Sequence, residues 1–309
     1  MKNNPLVTVN ILSFNRKDEL RITLTKVFEQ DYKNIEVIVV DNASSDGTQE
    51  MVKNEFPEVK LIGLKENIGI AGWNKGFEAA KGEYVLVLDD DSYPGKGTIE
   101  GGVHLMSVES KAVVIGFTIY NTNFNLIENR QEYIESKGEI SEPLGFIGCG
   151  ALIRRRIFLD LEGFESAIFL YYNELEFSIR AKNNGYKILF DPNHVVLHTY
   201  SLNQRNKVKA EKLLINERRF ENTFKSYFLY QYLHFEIKYF LKYSVKLVLS
   251  KLYIALRLGF LFTYFKTFFS LFFLAYIVRN KRKPVKESIQ KEYNFGNLKF
   301  KDLYAYYSD

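Results

Sequence analysis

Four short apolar runs, residues 6–14, 35–40, 59–64 and 84–88, alternate with stretches whose apolar residues recur at helical spacing. No other feature narrows the fold of this chain as much. The runs have the length and β-propensity of buried strands. The stretches between them, residues 17–29, 47–54 and 70–81, read as helices. This strand-helix order with short connections implies a parallel sheet with right-handed crossovers. In such sheets ligands bind just beyond the carboxyl ends of the strands. Chemistry is therefore expected in the residues that follow each run.

The fourth run ends in Asp89-Asp90-Asp91. Three adjacent carboxylates repel one another, so a counter-charge is expected. Hard divalent cations take oxygen ligands from one or two carboxylates plus substrate phosphates. A solvated acidic turn ahead of Pro94 and Gly95 is the plainer alternative. The second run leads into Asp41-Asn42-Ala43-Ser44-Ser45-Asp46-Gly47-Thr48. Asp41 there can accept hydrogen bonds from a nucleobase or a ribose, while Asp46 is placed to cap the next helix. The segment from Asn67 to Gly76 opens a helix with Gly69, Ala71 and Gly72. Small residues at a helix N-terminus let the backbone approach a phosphate or ribose.

Beyond Pro94 the pattern predicts a helix over 96–106 and a strand over 113–119, then a polar hairpin or irregular insertion over 121–143. Residues 145–158 are apolar, punctuated by glycine, and end in Arg154-Arg155-Arg156. Residues 169–184 read as a helix with acidic residues in its first part, stopped by Gly185. Two short strands, 187–190 and 195–197, lead to His198. From about residue 203 only long helical patterns follow, which places a domain boundary there. The single cysteine, Cys149, excludes an internal disulfide and fits a reducing compartment. Its setting in Gly148-Cys149-Gly150-Ala151 reads as a small buried residue rather than a nucleophile. No signal-peptide core precedes the first strand, so a cytoplasmic location is expected.

Taken together, Ser13-Phe14-Asn15-Arg16, the Asp41–Thr48 loop, the Asn67–Gly76 segment and Leu88-Asp89-Asp90-Asp91 resemble family 2 glycosyltransferases of the GT-A fold, in the same order. The resemblance continues through Gly148 to Arg154, Gly163-Phe164 and the stretch Phe169 to Glu176, and ends at His198. It covers roughly residues 5–202. It is nearest to rhamnosyltransferase-type enzymes of bacterial surface-polysaccharide assembly. The implied fold is α/β: a mixed, mostly parallel Rossmann-like sheet flanked by helices, over residues 1–202, with a helical extension over 203–309.

The resemblance also implies roles. Phe14, Asn15 and Asp41 fall where such enzymes hold the nucleobase and ribose; Asn67, Gly69 and Asn74 fall where the nucleotide-sugar is cradled. Asp89 and Asp91 match the outer residues of the Asp-x-Asp motif, which binds the sugar diphosphate through Mn²⁺ or Mg²⁺. Asp90, between them, turns toward ribose or backbone, and His198 completes the metal shell. The catalytic base, which removes the acceptor proton in an inverting displacement, falls on Glu174, where the family usually carries Asp after a Glu. This chain has Asn173 before it and Glu176 two residues later. Helical geometry puts Glu174 and Glu176 about 200° apart, so Glu176 is the alternative base rather than a partner. The donor implied is a UDP- or dTDP-linked sugar, and the acceptor a glycan on a lipid carrier.

The formal net charge of +5 is unevenly placed: no Asp or Glu occurs over residues 237–286. Lys238, Lys242, Lys246 and Arg257 fall within about 100° of one another on an ideal helix, among Phe, Tyr, Leu, Ile and Val. A spanning helix wants about 20 apolar residues, and Lys266 interrupts the run. Basic amphipathic helices lying on an anionic membrane surface fit better, which makes the expected location peripheral, on the inner face of the membrane. A helical lid over the first domain and a transmembrane hairpin stay open as other arrangements.

Three readings compete with the leading one. The Gln-x-x-Arg-Trp motif of processive synthases is absent, since the only tryptophan is Trp73. A nucleotide-binding dehydrogenase is disfavoured because no Gly-x-Gly-x-x-Gly follows the first strand. A catalytically impaired nucleotide-sugar-binding scaffold draws on Asn173. A nucleic-acid partner is not expected.

Overall fold

The computed structural model describes residues 4–199 and 216–293. Strands β1 (Val7–Ser13), β2 (Ile35–Asp41), β3 (Lys60–Gly63) and β4 (Tyr84–Asp89) lie parallel, joined by helices α1 (Lys17–Phe28), α2 (Thr48–Glu55) and α3 (Gly72–Ala79). A single 3₁₀ turn, Gly69–Ala71, leads into α3. Next come β5 (Ser92–Pro94), α4 (Thr98–Val108), β6 (Ala112–Asn121), β7 (Leu126–Ile127), α5 (Arg130–Ser136), β8 (Ala151–Arg154), α6 (Arg155–Asp160), α7 (Asn173–Asn183) and β9 (Lys187–His198). They extend the sheet to nine strands in the order β3-β2-β1-β4-β8-β6-β9-β5, with β7 beside β6. The added half is mixed: β8 runs antiparallel to both β4 and β6, while β9 runs parallel to β6.

The register of this sheet assembles the site. Ser13 pairs with Asp41 and Leu12 with Asp89, so three parallel strands end side by side. On the mixed side, His198 pairs with both Ser92 and Asn121. One strand end is thereby set next to the aspartate triplet and to the β6–β7 hairpin.

Three local expectations change. The two strands over 187–190 and 195–197 are one strand, β9, with a register shift opposite Phe117 and Thr118. Asp191 holds the irregularity, accepting from the Asn193 N–H at 2.9 Å and contacting His194 Nδ1 at 2.7 Å. The polar segment 121–143 is ordered as β7 and α5, pinned by Asn129, which accepts from Ile119 N and donates to Phe117 O. Finally, the helix expected from 169 begins only at Asn173, because Tyr171 and Tyr172 both adopt left-handed backbone (φ 69° and 63°).

One apolar layer packs α1, α2 and α4 on the sheet; the other packs α3, α6 and α7 through Trp73, Phe77, Phe158, Phe164 and Phe177. The boundary expected near 203 lies outside the described residues. Among the described residues four α-helices follow it: α8 (Glu217–His234), α9 (Ile237–Leu258), α10 (Leu261–Val278) and α11 (Glu287–Glu292). Phe220, Phe224, Tyr227 and Tyr230 of α8 share a buried cluster with Ile179, Leu175 and Tyr172 of the first domain. Each such fully buried large side chain contributes on the order of 2 kcal/mol. The Ser226 hydroxyl donates to Leu170 O at 2.8 Å. At the far end Lys182 pairs with Glu292 at 2.9 Å, and the Tyr293 hydroxyl donates to Leu144 O. Helices α9 and α10 pack on α8 and leave their outer faces open.

Candidate active site

At the β1 and β2 tips the backbone is tightly organised. Asn15 adopts left-handed backbone (φ 54°), donates its N–H to Ser44 Oγ and accepts from Ser45 N–H, each at 2.8 Å. Asp46 accepts from the N–H of Lys17 and of Thr48, so one carboxylate serves the N-termini of two helices. That is the capping role expected for it. Asp41 is fully buried; its Oδ2 accepts from Gln49 at 2.7 Å and from Ser44 N at 3.2 Å. Its Oδ1 is buried and has no partner among the described residues. An orphaned buried acceptor is costly, and here it sits at a strand tip, where a ribose or base donor would satisfy it. Phe14 stands beside it with 39% of its surface exposed.

The 67–74 turn packs closely on the 163–169 loop. Asn67 Oδ1 caps Gly69 N–H at 2.9 Å. Gly69 has φ +67°, and a Cβ there would lie 2.0 Å from Phe169 O. Asn74 brackets Phe164, donating to its carbonyl at 2.8 Å and accepting from its N–H at 2.9 Å. Gly69 and Asn74 therefore staple the 163–169 loop in place.

The aspartate triplet divides. Asp90 accepts from Phe14 N and Arg16, both at 3.2 Å, which ties it to the β1 loop. Asp91 is 1% exposed and held between Arg16 and His198, whose Nε2 lies 2.9 Å from its Oδ1. Burial would raise the Asp91 carboxyl, but His198 and Arg16 hold it below its usual range. Asp89 lacks such close partners, and burial with the Asp91 charge pushes it up to about 6. Burial alone would lower His198; its partners Asp91 and Glu128 raise it instead to about 10. Glu128 Oε2 stands 3.0 Å from His198 Nδ1.

Could this place hold a cation? Ligand atoms of Asp89, Cys149 and His198 lie within 4.8 Å of one another. Glu128 fixes the His198 ring through the nitrogen facing away from Asp91, the usual outer support of a ligating histidine. The donors fit a divalent ion. Of the expected metal residues, Asp89 and His198 fall in this group, whereas Asp91 is engaged with Arg16 and His198.

Glu174, on the first turn of α7, faces the same place from the other side. A Cβ on Gly148 would lie 2.6 Å from Glu174 Oε1 and 3.0 Å from the Trp73 ring, so only glycine lets this carboxylate reach in. Burial raises Glu174 to about 7; the Asp89 charge adds to this, and the Gly148 N–H works against it. Glu176 points away. It is 1% exposed and accepts from Arg180 and from His234 of α8, each at 2.7 Å. Burial would raise it, but Arg180 and His234 hold it at about 2. The structure places Glu176, the alternative base, in a buried ion-pair cluster with Arg180 and His234. Asn173, also fully buried, donates to Ile168 O at 2.6 Å and braces the turn before the helix.

Sequence reasoning gave no role to Arg16, Glu128 or His234, and read Cys149 as filler. Arg16 and Cys149 lay inside recognised motifs, whereas Glu128 and His234 did not. Glu128 sits in the weakly patterned 121–143 segment, and no local pattern links it to His198.

The glycosyl transferase family 2 model matches residues 8–161. The chain is 29% identical over 187 residues to the Escherichia coli UDP-Glc:alpha-D-GlcNAc-diphosphoundecaprenol beta-1,3-glucosyltransferase WfaP, which covers 56% of this chain and 68% of that protein. It is 27% identical over 203 residues to the amylovoran biosynthesis glycosyltransferase AmsB of Erwinia amylovora, 59% of this chain and 65% of that one. For TuaG of Bacillus subtilis the chain spans about half of the relative's length, 47%. Among solved structures, the mannosyltransferase PcManGT of Pyrobaculum calidifontis, in complex with GDP-Man and Mn²⁺, superposes with TM-score 0.62 at 20% identity, covering 99% of this chain and 85% of that one. At that identity the likeness shows the fold, which is GT-A.

Proposed function

The chain belongs to glycosyl transferase family 2 through residues 8–161, and from that premise we propose an inverting, metal-dependent transferase. It moves one sugar from a nucleotide-diphospho-sugar, UDP- or dTDP-linked, to a glycan acceptor on a lipid carrier in surface-polysaccharide synthesis. The observation that carries this reading is Glu174, raised to about 7 and seated against Gly148 within electrostatic reach of the Asp89 carboxylate. A carboxylate matched to neutral pH is suited to general-base work.

Glu174 takes the acceptor hydroxyl proton as that oxygen bonds to the anomeric carbon, and the bond from that carbon to the diphosphate oxygen breaks on the opposite face. The orphaned Asp41 Oδ1 accepts from the nucleoside, with the exposed Phe14 ring alongside. Asp89 and His198 would hold a divalent cation, Mn²⁺ or Mg²⁺, which when bound would supply positive charge to the departing diphosphate. Arg16, beside Asp90 and Asp91, adds a fixed guanidinium at the same strand tips. WfaP, named for a diphosphoundecaprenol acceptor, supports the lipid-linked class. The exposed apolar and basic faces of α9 and α10 support work at the inner face of the membrane, peripherally bound.

Glu174→Gln tests the assignment. Transfer should fall by about 10²–10⁴-fold, the usual share of a general base, with nucleotide-sugar affinity within about twofold. Full activity in that variant sinks the assignment. Donor binding by the wild-type chain, without nucleoside diphosphate release on any acceptor, would instead favour a scaffold.

A further inference from the structure

We propose that the Cys149 sulfur is a ligand of the cation at the β4 tip, so that this site takes thiophilic divalent ions (Co²⁺, Zn²⁺, Cd²⁺) more tightly than an oxygen-and-nitrogen site would. This rests on the reading that Asp89 and His198 hold a cation, and adds to it a donor of a different chemical kind.

Three observations support the sulfur. First, an Asp89 oxygen, Cys149 Sγ and a His198 ring nitrogen lie within 4.8 Å of one another, close enough for a small adjustment to place one ion among them. Second, the turn carrying Cys149, Gly148–Gly150, is immobilised by packing on both flanks. A Cβ on Gly148 would meet Glu174 at 2.6 Å, and one on Gly150 would meet Ile119 at 2.7 Å and Val196 at 2.9 Å. The backbone bearing the sulfur is therefore closely packed, and Cys149, at 5% exposure, is inside the protein. Third, Glu128 at 3.0 Å from His198 Nδ1 orients the ring so that Nε2, now 2.9 Å from Asp91, is the nitrogen turned toward the site.

Carboxylate, imidazole and thiolate together form a borderline-soft set, which suits Zn²⁺ and Co²⁺. Burial and the neighbouring carboxylates raise the free thiol, so without an ion it stays protonated. On binding, the S–H proton and the Nε2 proton of His198 both leave to solvent as the metal–sulfur and metal–nitrogen bonds form; no electron is transferred. The plain alternative is that Cys149 only fills the core cluster of which it is a member.

The test titrates the full chain with Co²⁺ and with Cd²⁺, each with and without UDP, in wild type, Cys149→Ser and Cys149→Ala. The expected wild-type Co²⁺ complex shows an intense thiolate-to-cobalt charge-transfer band in the near ultraviolet, absent from both variants. The preference for Cd²⁺ over Mg²⁺ should drop by about tenfold or more on losing the ligand, since even outer-shell losses have such effects. Because the band is read on wild type, the outcome does not depend on the variants folding; unchanged circular dichroism qualifies them for the comparison. Co²⁺ bound without the band, and equally in wild type and Cys149→Ser, overturns the sulfur ligand while leaving the cation site standing. No binding of Co²⁺, Cd²⁺ or Mn²⁺ with or without UDP overturns both.

Discussion

Glu174 and Glu176 stand two positions apart on one helix and live in opposite electrostatic worlds. Burial with a neighbouring carboxylate raises the first to about 7, and Arg180 with His234 holds the second at about 2. That they face apart was legible from 100° per residue; which one meets a ligand was not, since both partners of Glu176 are set by tertiary contacts. Asp46 as a cap was legible because its role is local. Cys149 and Glu128 were illegible because each acquires meaning only through β6, β8 and β9 lying side by side. A pH prediction belongs at this scale. As the proposed base, Glu174 would work only when ionised, so kcat/KM should climb with slope one through about pH 7 and level off above pH 8. The same shift has a stability consequence. A carboxyl raised from 4.5 to about 7 in the folded state disfavours folding as pH rises through that interval. The penalty is at most about 3 kcal/mol, less for the partial exposure of Glu174. Glu174→Gln should therefore melt higher than wild type at pH 8 and nearly equal to it at pH 4. A rate profile flat from pH 5 to 8, with no melting difference at pH 8, would remove Glu174 from the role of base.

At the scale of elements, the first four strands and three helices fall within a residue or two of the sequence reading, because their apolar runs and punctuation are local signals. Helix α7 was read as starting too early, since two tyrosines in left-handed backbone leave no compositional trace. The division of β9 was misread for a related reason: Asp191, Pro192 and Asn193 look like a turn but form an irregularity within a continuing strand. Helix α8 is fastened to α7 by the buried Glu176–His234 contact and by the aromatic cluster beneath it. Glu176→Ala leaves Arg180 and His234 without their carboxylate, a loss of about 3 kcal/mol for a buried pair. Urea unfolding should show this at pH 7. Acid should erase the difference: with the folded carboxyl at about 2 and the unfolded one at 4.5, the contribution is whole above pH 5 and vanishes as pH falls through 2. Equal midpoints for wild type and Glu176→Ala at pH 7 would show that the aromatic cluster alone holds α8.

At the scale of the molecule, the extension is neither simply a lid nor simply a membrane anchor. Its inner helix α8 is built into the first domain, and its outer pair presents Ile237, Leu241, Val245 and Leu249 of α9 together with Phe262, Phe265, Phe269, Phe272 and Phe273 of α10, all at least half exposed. A phenylalanine side chain offers on the order of 200 Å², so the five on α10 alone exceed the few hundred Å² of apolar patch usual on a soluble monomer. Lys238, Lys242 and Lys246 run beside the apolar row of α9, and no acidic residue occurs over 237–286, which favours anionic lipid as the occupant. The contacts also say where this surface leads. Phe260 packs on Phe220 and Thr263 bonds Glu217, so the α9–α10 turn lies at the start of α8. There Arg219 stacks on Tyr171, three residues before Glu174. On the proposed reading, a lipid-borne acceptor would enter from this face. Flotation of the full chain with vesicles should show binding to anionic but weak binding to neutral lipid, falling with salt as screening requires. At about 1 kcal/mol per basic residue near the surface, replacing Lys238, Lys242 and Lys246 with Gln should weaken anionic binding by on the order of 10²-fold. Phe269→Asp with Phe273→Asp should abolish it, while transfer to a water-soluble acceptor analogue persists. A wild-type chain that ignores anionic vesicles and instead sediments as a dimer, reverting to a monomer in the Phe269→Asp, Phe273→Asp variant, would assign this face to a second copy of the chain.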